Sequence, residues 1–116
     1  MFSFKRLLAT TTKSKIEGLI NTNDLFLFMK GIPSAPQCGF SQAVIQMLKA
    51  HQITPAYCNV LEDEEIRNGI KEYANWPTIP QLYLKGEFIG GCDVLLSMFK
   101  SGELEELLKE KKIIAQ

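Results

Sequence analysis

The chain has 116 residues, of which 46% are hydrophobic and 22% charged, a composition that fits one compact globular domain. Its 13 lysines and arginines balance 13 aspartates and glutamates, so no charge excess predicts a nucleic-acid-binding surface. No apolar run approaches the roughly 18 residues needed to cross a bilayer, so we expect a soluble protein without a membrane partner.

The first 15 residues have a composition of their own. They contain four bases, no acid and five hydroxyl residues, whereas residues 16–116 hold 9 bases against 13 acids. A basic, hydroxyl-rich and acid-free start is typical of a mitochondrial presequence, and a frayed, solvated tail is the alternative. We interpret residues 1–15 as a mitochondrial targeting presequence and residues 16–116 as the folded domain.

Helices and strands alternate along the next part of the chain. Apolar residues at helical spacing predict the helices, short apolar runs predict the strands, and glycine and proline separate them. In chain order we expect a helix at 15–21, a strand at 24–29, a loop ending at Cys38, a helix at 41–51, a strand at 56–60 and a helix at 63–73.

The last part of the chain changes character. Two prolines within Trp76–Pro80 exclude a helix there. Strands at 81–84 and 87–89 flank a Lys-Gly pair, which indicates a hairpin, and helices at 93–100 and 103–112 follow. Because strands that alternate with helices pair in parallel and a hairpin adds an antiparallel edge, we expect an α/β fold. This is a thioredoxin-like sandwich, with a central four-stranded mixed sheet flanked by helices.

Cys38, Cys58 and Cys92 form an odd, widely spaced set. With a single histidine and no Cys-x-x-Cys pair, neither a self-contained zinc site nor an extracellular disulfide framework fits. Cys38 lies where a loop meets the start of a helix. Helix N–H groups, the helix dipole and nearby Lys30 should lower its pKa and make it a nucleophile or metal ligand. The alternative is an inert buried cysteine.

Three motifs favour the reactive thiol. They are Cys38-Gly39-Phe40-Ser41 after Lys30-Gly31-Ile32-Pro33, then Trp76-Pro77-Thr78-Ile79-Pro80-Gln81, and Gly90-Gly91-Cys92-Asp93. From about residue 16 to its end, the chain resembles the monothiol (CGFS-type) glutaredoxins, and most of all their mitochondrial single-domain, glutaredoxin 5-like subgroup. The family usually has threonine in place of Ile32, which leaves the geometry of the active-site loop open.

The resemblance implies a glutathione site. The two carboxylates of this tripeptide suit cations and helix N-termini. Arg67 and Lys71, four residues apart, share a helix face; a solvated charged face is the alternative, and the resemblance favours glutathione contacts. The expected glutathione-binding residues are Lys30, Phe40, Arg67, Lys71, Thr78, Ile79, Pro80, Gly91, Cys92 and Asp93. The Thr-Ile-Pro segment resembles a cis-proline turn, and Trp76 is either core or cleft wall.

Cys38 is the expected catalytic thiol and metal ligand. Ser41 stands where dithiol relatives carry a resolving cysteine, and serine cannot close a disulfide. A 2Fe–2S cluster is held by four thiolates, so two chains, each with Cys38 and one glutathione, complete the set. We therefore expect a homodimer across the cluster and a monomer without it. Cys58 is interpreted as a small apolar strand residue and His51 as a helix-end residue.

Two functions follow from the resemblance. The first is a 2Fe–2S carrier for iron–sulfur biogenesis in the mitochondrial matrix. The alternative is a glutathione-dependent thiol–disulfide oxidoreductase that acts on glutathionylated proteins. The resemblance further implies iron–sulfur scaffold, chaperone and recipient proteins as partners, with a BolA-type protein as an additional candidate.

Overall fold

The computed structural model describes the backbone of residues 4–115 and the side chains of residues 11–115. Its elements are, in chain order, α1 (Phe4–Asn21), β1 (Leu25–Met29), β2 (Gly31–Ile32), β3 (Ala35–Pro36), α2 (Gly39–Ala50), β4 (Ala56–Asn59), a 3-10 turn (Val60–Glu62), α3 (Glu64–Ala74), β5 (Gln81–Leu84), β6 (Glu87–Gly90), α4 (Cys92–Ser101) and α5 (Glu103–Glu110). Over this described part, no helix combines the length and the apolar character that a membrane span requires.

Four strands form the central sheet in the order β4-β1-β5-β6. β1 pairs in parallel with β4 and antiparallel with β5, and β5 pairs antiparallel with β6. The β5–β6 turn is made by Lys85 and Gly86, both with positive φ, as a tight hairpin requires. The predicted α/β fold with a four-stranded mixed sheet is confirmed.

β1 is the centre of the core because it is buried on both faces. Successive side chains of a strand point to opposite sides. Leu25, Leu27 and Met29 therefore join the apolar cluster under α2, α4 and α5, while Phe26 and Phe28 join the cluster under α1 and α3. The helices thus cover both faces of the sheet with apolar side chains.

Helix α1 is longer than predicted. The predicted helix began at Lys15, whereas α1 begins at Phe4, because residues 4–17 contain neither proline nor glycine to stop it. Ile16 and Ile20 are buried against the sheet, and Lys15 Nζ lies 2.6 Å from Asp63 Oδ2 at the start of α3. The division into residues 1–15 and 16–116 stays a prediction, and residues 1–3 lie outside the described part.

The chain between β1 and α2, predicted as a loop, contains the small β2–β3 hairpin. Gly31 has φ +95°, and a Cβ there would lie 2.5 Å from the backbone nitrogen of Gln37, so only glycine fits. The Gly31 N–H donates to Asn59 Oδ1 at 2.9 Å, and the Gln37 N–H donates to the Lys30 carbonyl at 2.9 Å. These bonds hold the chain that leads into Cys38.

Candidate functional site

Cys38 is the N-cap residue of α2, with an extended backbone at φ −150° and ψ 136°. Its side chain makes no capping hydrogen bond, but the N-cap position places it beside the N–H groups of the first helical turn. The N–H of Ser41, followed by that of Phe40 and the charge of Lys30, lowers the pKa of the Cys38 thiol, and burial opposes them only in part. The predicted lowering of this pKa is confirmed, and the thiolate is the form that reacts and binds metal.

Ser41 links the end of β1 to this thiol. The residue is fully buried, and its Oγ accepts a hydrogen bond from the Lys30 N–H at 3.1 Å. Its hydroxyl also contributes to the lowered pKa of Cys38. The sequence identified Ser41 only as a missing second thiol; its bond to Lys30 depends on how β1 and α2 pack, which no local pattern reveals.

An open cleft lies at the first turn of α2, between the loop at 76–80 and the start of α4. Its lining residues are Phe40, Trp76, Thr78, Ile79, Pro80, Gly91, Cys92 and Asp93. Seven of these eight were predicted to bind glutathione, so three segments distant in sequence meet in one place. The eighth is Trp76, whose role the sequence left open, and it is part of the cleft wall.

Three predicted contacts do not line this cleft. Lys30 acts on Cys38 through its charge, as described above. Arg67 and Lys71 both lie on α3, and the Lys71 carbonyl accepts the Trp76 N–H at 3.0 Å, so Lys71 stands next to the loop that carries the cleft wall. A role for Lys30, Arg67 and Lys71 in binding glutathione stays a prediction.

The loop at 76–80 is shaped from beneath by Gln81, which is fully buried. Its side-chain Nε2 donates to the carbonyls of Trp76 and Thr78, both at 3.2 Å, and its Oε1 accepts from the Tyr83 hydroxyl at 3.2 Å. Sequence reasoning missed this network. The one available signal was a polar residue at the start of the otherwise apolar strand β5.

The same loop contains the Ile79–Pro80 peptide bond, which is cis as the resemblance implied. The Ile79 side chain belongs to the core, so this residue presents mainly its backbone to the cleft. Opposite the loop, a Cβ at Gly91 would lie 2.9 Å from Trp76 Nε1 and 3.3 Å from the Pro80 carbonyl oxygen. Glycine at this position therefore allows α4 to begin directly against the loop.

The start of α4 brings a second thiol to the site. Cys92 and Asp93 occupy the first turn after the N-cap Gly91. Burial, followed by the negative charges of Asp93 and Cys38, raises the pKa of the Cys92 thiol. Burial likewise raises the pKa of Cys58 on β4, which agrees with its interpretation as a structural residue. Of the three thiols, only Cys38 has a lowered pKa.

The site offers few metal ligands within one chain. Among the residues that the structure describes, no group of three or more His, Cys, Asp or Glu side chains is arranged to hold a metal ion. The thiols at this site are Cys38 and, beside it in the cleft, Cys92.

Comparison with known proteins gives a consistent assignment. Residues 25–89 match the glutaredoxin family profile. The chain is 51% identical over 111 residues to monothiol glutaredoxin-5, mitochondrial, of Lachancea kluyveri. This alignment covers 93% of this chain and 78% of the relative. It is 52% identical over 110 residues to the Saccharomyces cerevisiae protein of the same name, with 92% and 73% covered. The solution structure of reduced poplar apo GrxS14 has a TM-score of 0.79 at 44% identity and covers 91% of this chain and 97% of its own.

Proposed function

This chain belongs to the glutaredoxin family as a monothiol member, and we propose that it binds a 2Fe–2S cluster with glutathione and delivers the cluster to other proteins. It is a mitochondrial protein, like the yeast relatives of the same type. We place the targeting information in residues 1–15 and the cluster-transfer role in the mitochondrial matrix.

The observation that carries this proposal is the pairing of a thiol whose pKa is lowered with an open cleft near it. Cys38 would supply one thiolate close to Cys92 of the cleft, and a tripeptide bound in the cleft would bring a second thiolate. Four thiolates complete a 2Fe–2S cluster, so two such units are needed. A cluster ligated in this way joins two copies of the chain about a two-fold axis.

The cleft has groups that suit each part of glutathione. The main chain at Ile79 is available to pair with the cysteinyl residue, as a short added strand would. The start of α4 offers N–H groups to the γ-glutamyl carboxylate, and Asp93 offers an anion to the adjacent ammonium group. Lys71 and Arg67, on the helix that ends at the cleft loop, are proposed partners for the glycine carboxylate.

Cargo release also follows from the ligand set. Half of the proposed thiolates belong to a small molecule rather than to the protein, and the sole protein ligand of each chain lies at a helix start that is partly open to solvent. A recipient thiolate can therefore replace the ligands one at a time. Scaffold, chaperone, recipient and BolA-type proteins are the proposed partners in this exchange.

The lowered pKa of Cys38 also supports a second candidate function, reduction of glutathionylated proteins. The Cys38 thiolate would attack the glutathione sulfur of a mixed disulfide and release the protein thiolate. A second glutathione thiolate would then attack the Cys38–glutathione disulfide, giving glutathione disulfide and the free Cys38 thiolate. Ser41 cannot replace the second glutathione, so the reaction stays on this monothiol route.

A pair of cysteine variants tests the carrier proposal. Cys38→Ser should abolish cluster binding, because a serine hydroxyl stays protonated at neutral pH and is a poor iron ligand. Cys58→Ser should retain it, because that thiol is half-buried on β4 and has a raised pKa. The measurement is iron and sulfide content after anaerobic reconstitution with glutathione. A full cluster on the folded Cys38→Ser protein would contradict the proposed ligand.

A further inference from the structure

Gln81 stands out as a fully buried amide among apolar side chains. It shares one face of β5 with Tyr83, whose ring packs between Phe28 and Phe88 with centroid distances of 5.6 and 5.4 Å. A buried amide is unfavourable unless its hydrogen bonds are made. Here both N–H groups and the oxygen of the amide have partners, so the residue is satisfied only while the neighbouring loop keeps its present shape.

The amide of Gln81 has a single satisfactory orientation. Its two N–H groups face the carbonyls of Trp76 and Thr78, so a reversed amide would oppose oxygen to oxygen. Its oxygen faces the Tyr83 hydroxyl, and burial raises the pKa of Tyr83, which therefore keeps the proton that it donates. The side chain is thus a fixed double donor directed at the loop.

This donor determines the direction of one peptide plane. The Thr78 carbonyl points into the core toward Gln81 Nε2, and the Thr78–Ile79 bond is trans, since Ile79–Pro80 is the one cis bond among the described residues. In a trans peptide the C=O and the following N–H point in opposite directions. The Ile79 N–H therefore points away from the core, on the side where Ile79 lines the cleft.

We propose that Gln81 is a positioning residue for ligand binding: by holding the Thr78 carbonyl in the core, it directs the Ile79 N–H toward a main-chain carbonyl of the bound peptide. The inference rests on the proposed function, because it takes glutathione as that peptide. Gln81 itself does not line the cleft and acts only through the loop. If the Thr78–Ile79 plane turns, the main-chain bond to the ligand is lost while Cys38 stays in place.

The test compares Gln81→Met, which keeps the side-chain length and removes all three hydrogen bonds, with Tyr83→Phe, which keeps both bonds to the loop. Reduced glutathione is titrated anaerobically into each ¹⁵N-labelled protein, and the dissociation constant and the Ile79 amide resonance are followed. We expect at least tenfold weaker binding for Gln81→Met, equivalent to about 1.4 kcal/mol, with a diminished Ile79 response. The Asp93 amide should still respond at saturation, and Tyr83→Phe should stay near wild type.

The pH titration of the Cys38 thiol separates positioning from general damage, because Gln81→Met should leave it unchanged. A folded Gln81→Met protein with wild-type affinity for glutathione and a wild-type Ile79 response would overturn the inference. A shifted midpoint of the Cys38 titration in the Gln81→Met protein would overturn it too. A wild-type protein that does not bind glutathione would instead contradict the proposed function. If Gln81→Met does not fold, the same titrations are made with Gln81→Glu, which removes at least one donor at nearly constant shape. The same results then support or overturn the inference.

Discussion

Cys38 and Cys92 each stand at the start of a helix in the same site, yet their pKa values move in opposite directions. Cys38 is an N-cap residue, from which a side chain faces the free N–H groups of the first turn. Cys92 is one residue further along its helix, where burial and two neighbouring negative charges dominate. One position relative to the helix start therefore separates a thiol whose pKa is lowered from one whose pKa is raised.

The positive charge of Lys30 is one of the causes of the lowered Cys38 pKa, and a substitution can test it. Since its charge lowers the pKa of Cys38, Lys30→Gln should move the midpoint of the Cys38 titration to higher pH. Alkylation by iodoacetamide should then be slower near pH 7 and equal at alkaline pH, where both proteins are fully ionised. The rate is measured by mass spectrometry of the Cys38 peptide. Lys49→Gln, at the exposed far end of α2, is the control, and a shift as large as that of Lys30→Gln would reject a specific effect.

Most residues of the site were predictable from the sequence, and those that were not have a common reason. The residues that line the cleft, and Cys38 near them, belong to short motifs with a recognisable composition, so the sequence predicted their place in one site. Ser41, Asn59 and Gln81 act instead through hydrogen bonds to the backbone of another element. Such hydrogen bonds depend on how distant elements pack in the folded chain, so local composition does not predict them.

The start of helix α1 was also not predictable from local sequence. Its C-terminal half has the apolar spacing that predicted a helix, whereas its N-terminal half was assigned to a targeting segment by composition alone. The described contacts reach further back: a Cβ at Gly69 would lie 2.6 Å from Thr12 Cγ2, so Thr12 packs directly on α3. The order of the helices and of the main strands was predictable, but this boundary depends on what α1 packs against.

Two truncations test how much of α1 the domain needs. Removal of residues 1–10 keeps Thr12 and Lys15, and with them the described contacts with the start and the middle of α3, so we expect a melting temperature near that of the full chain. Removal of residues 1–15 also deletes Thr12 and the partner of Asp63, and we expect a loss of about 1 kcal/mol, or roughly 4–8 °C. Thermal unfolding followed by circular dichroism measures both. Equal melting temperatures would show that residues 11–15 add nothing to the fold.

The pH dependence of this contact has a definite sign. The ion pair with Lys15 and the capping bond to the Ile66 N–H lower the pKa of Asp63 in the folded protein. A lowered folded pKa stabilises the protein above the unfolded pKa, and this contribution is lost as the pH falls through the folded value. The difference in stability between the two truncations should therefore shrink in acid.

The proposed function requires two chains and two glutathione molecules for each cluster, because a 2Fe–2S cluster takes four thiolates. A chain of 13.1 kDa presents one thiol with a lowered pKa and an open cleft near it, and its described residues contain no group of three or more metal-ligating side chains. Under the proposed function, one such chain contributes half of the cluster's ligands. Assembly with a second copy is the step that would complete it.

The most direct test is the molecular mass and absorption spectrum of the protein after anaerobic reconstitution with iron and sulfide. With glutathione we expect a brown species at twice the 13.1 kDa chain mass. With 2-mercaptoethanol, a thiol that lacks the carboxylates, we expect a colourless monomer. A cluster on a single chain, or an equally coloured dimer with 2-mercaptoethanol, would contradict the proposal that glutathione is a structural ligand.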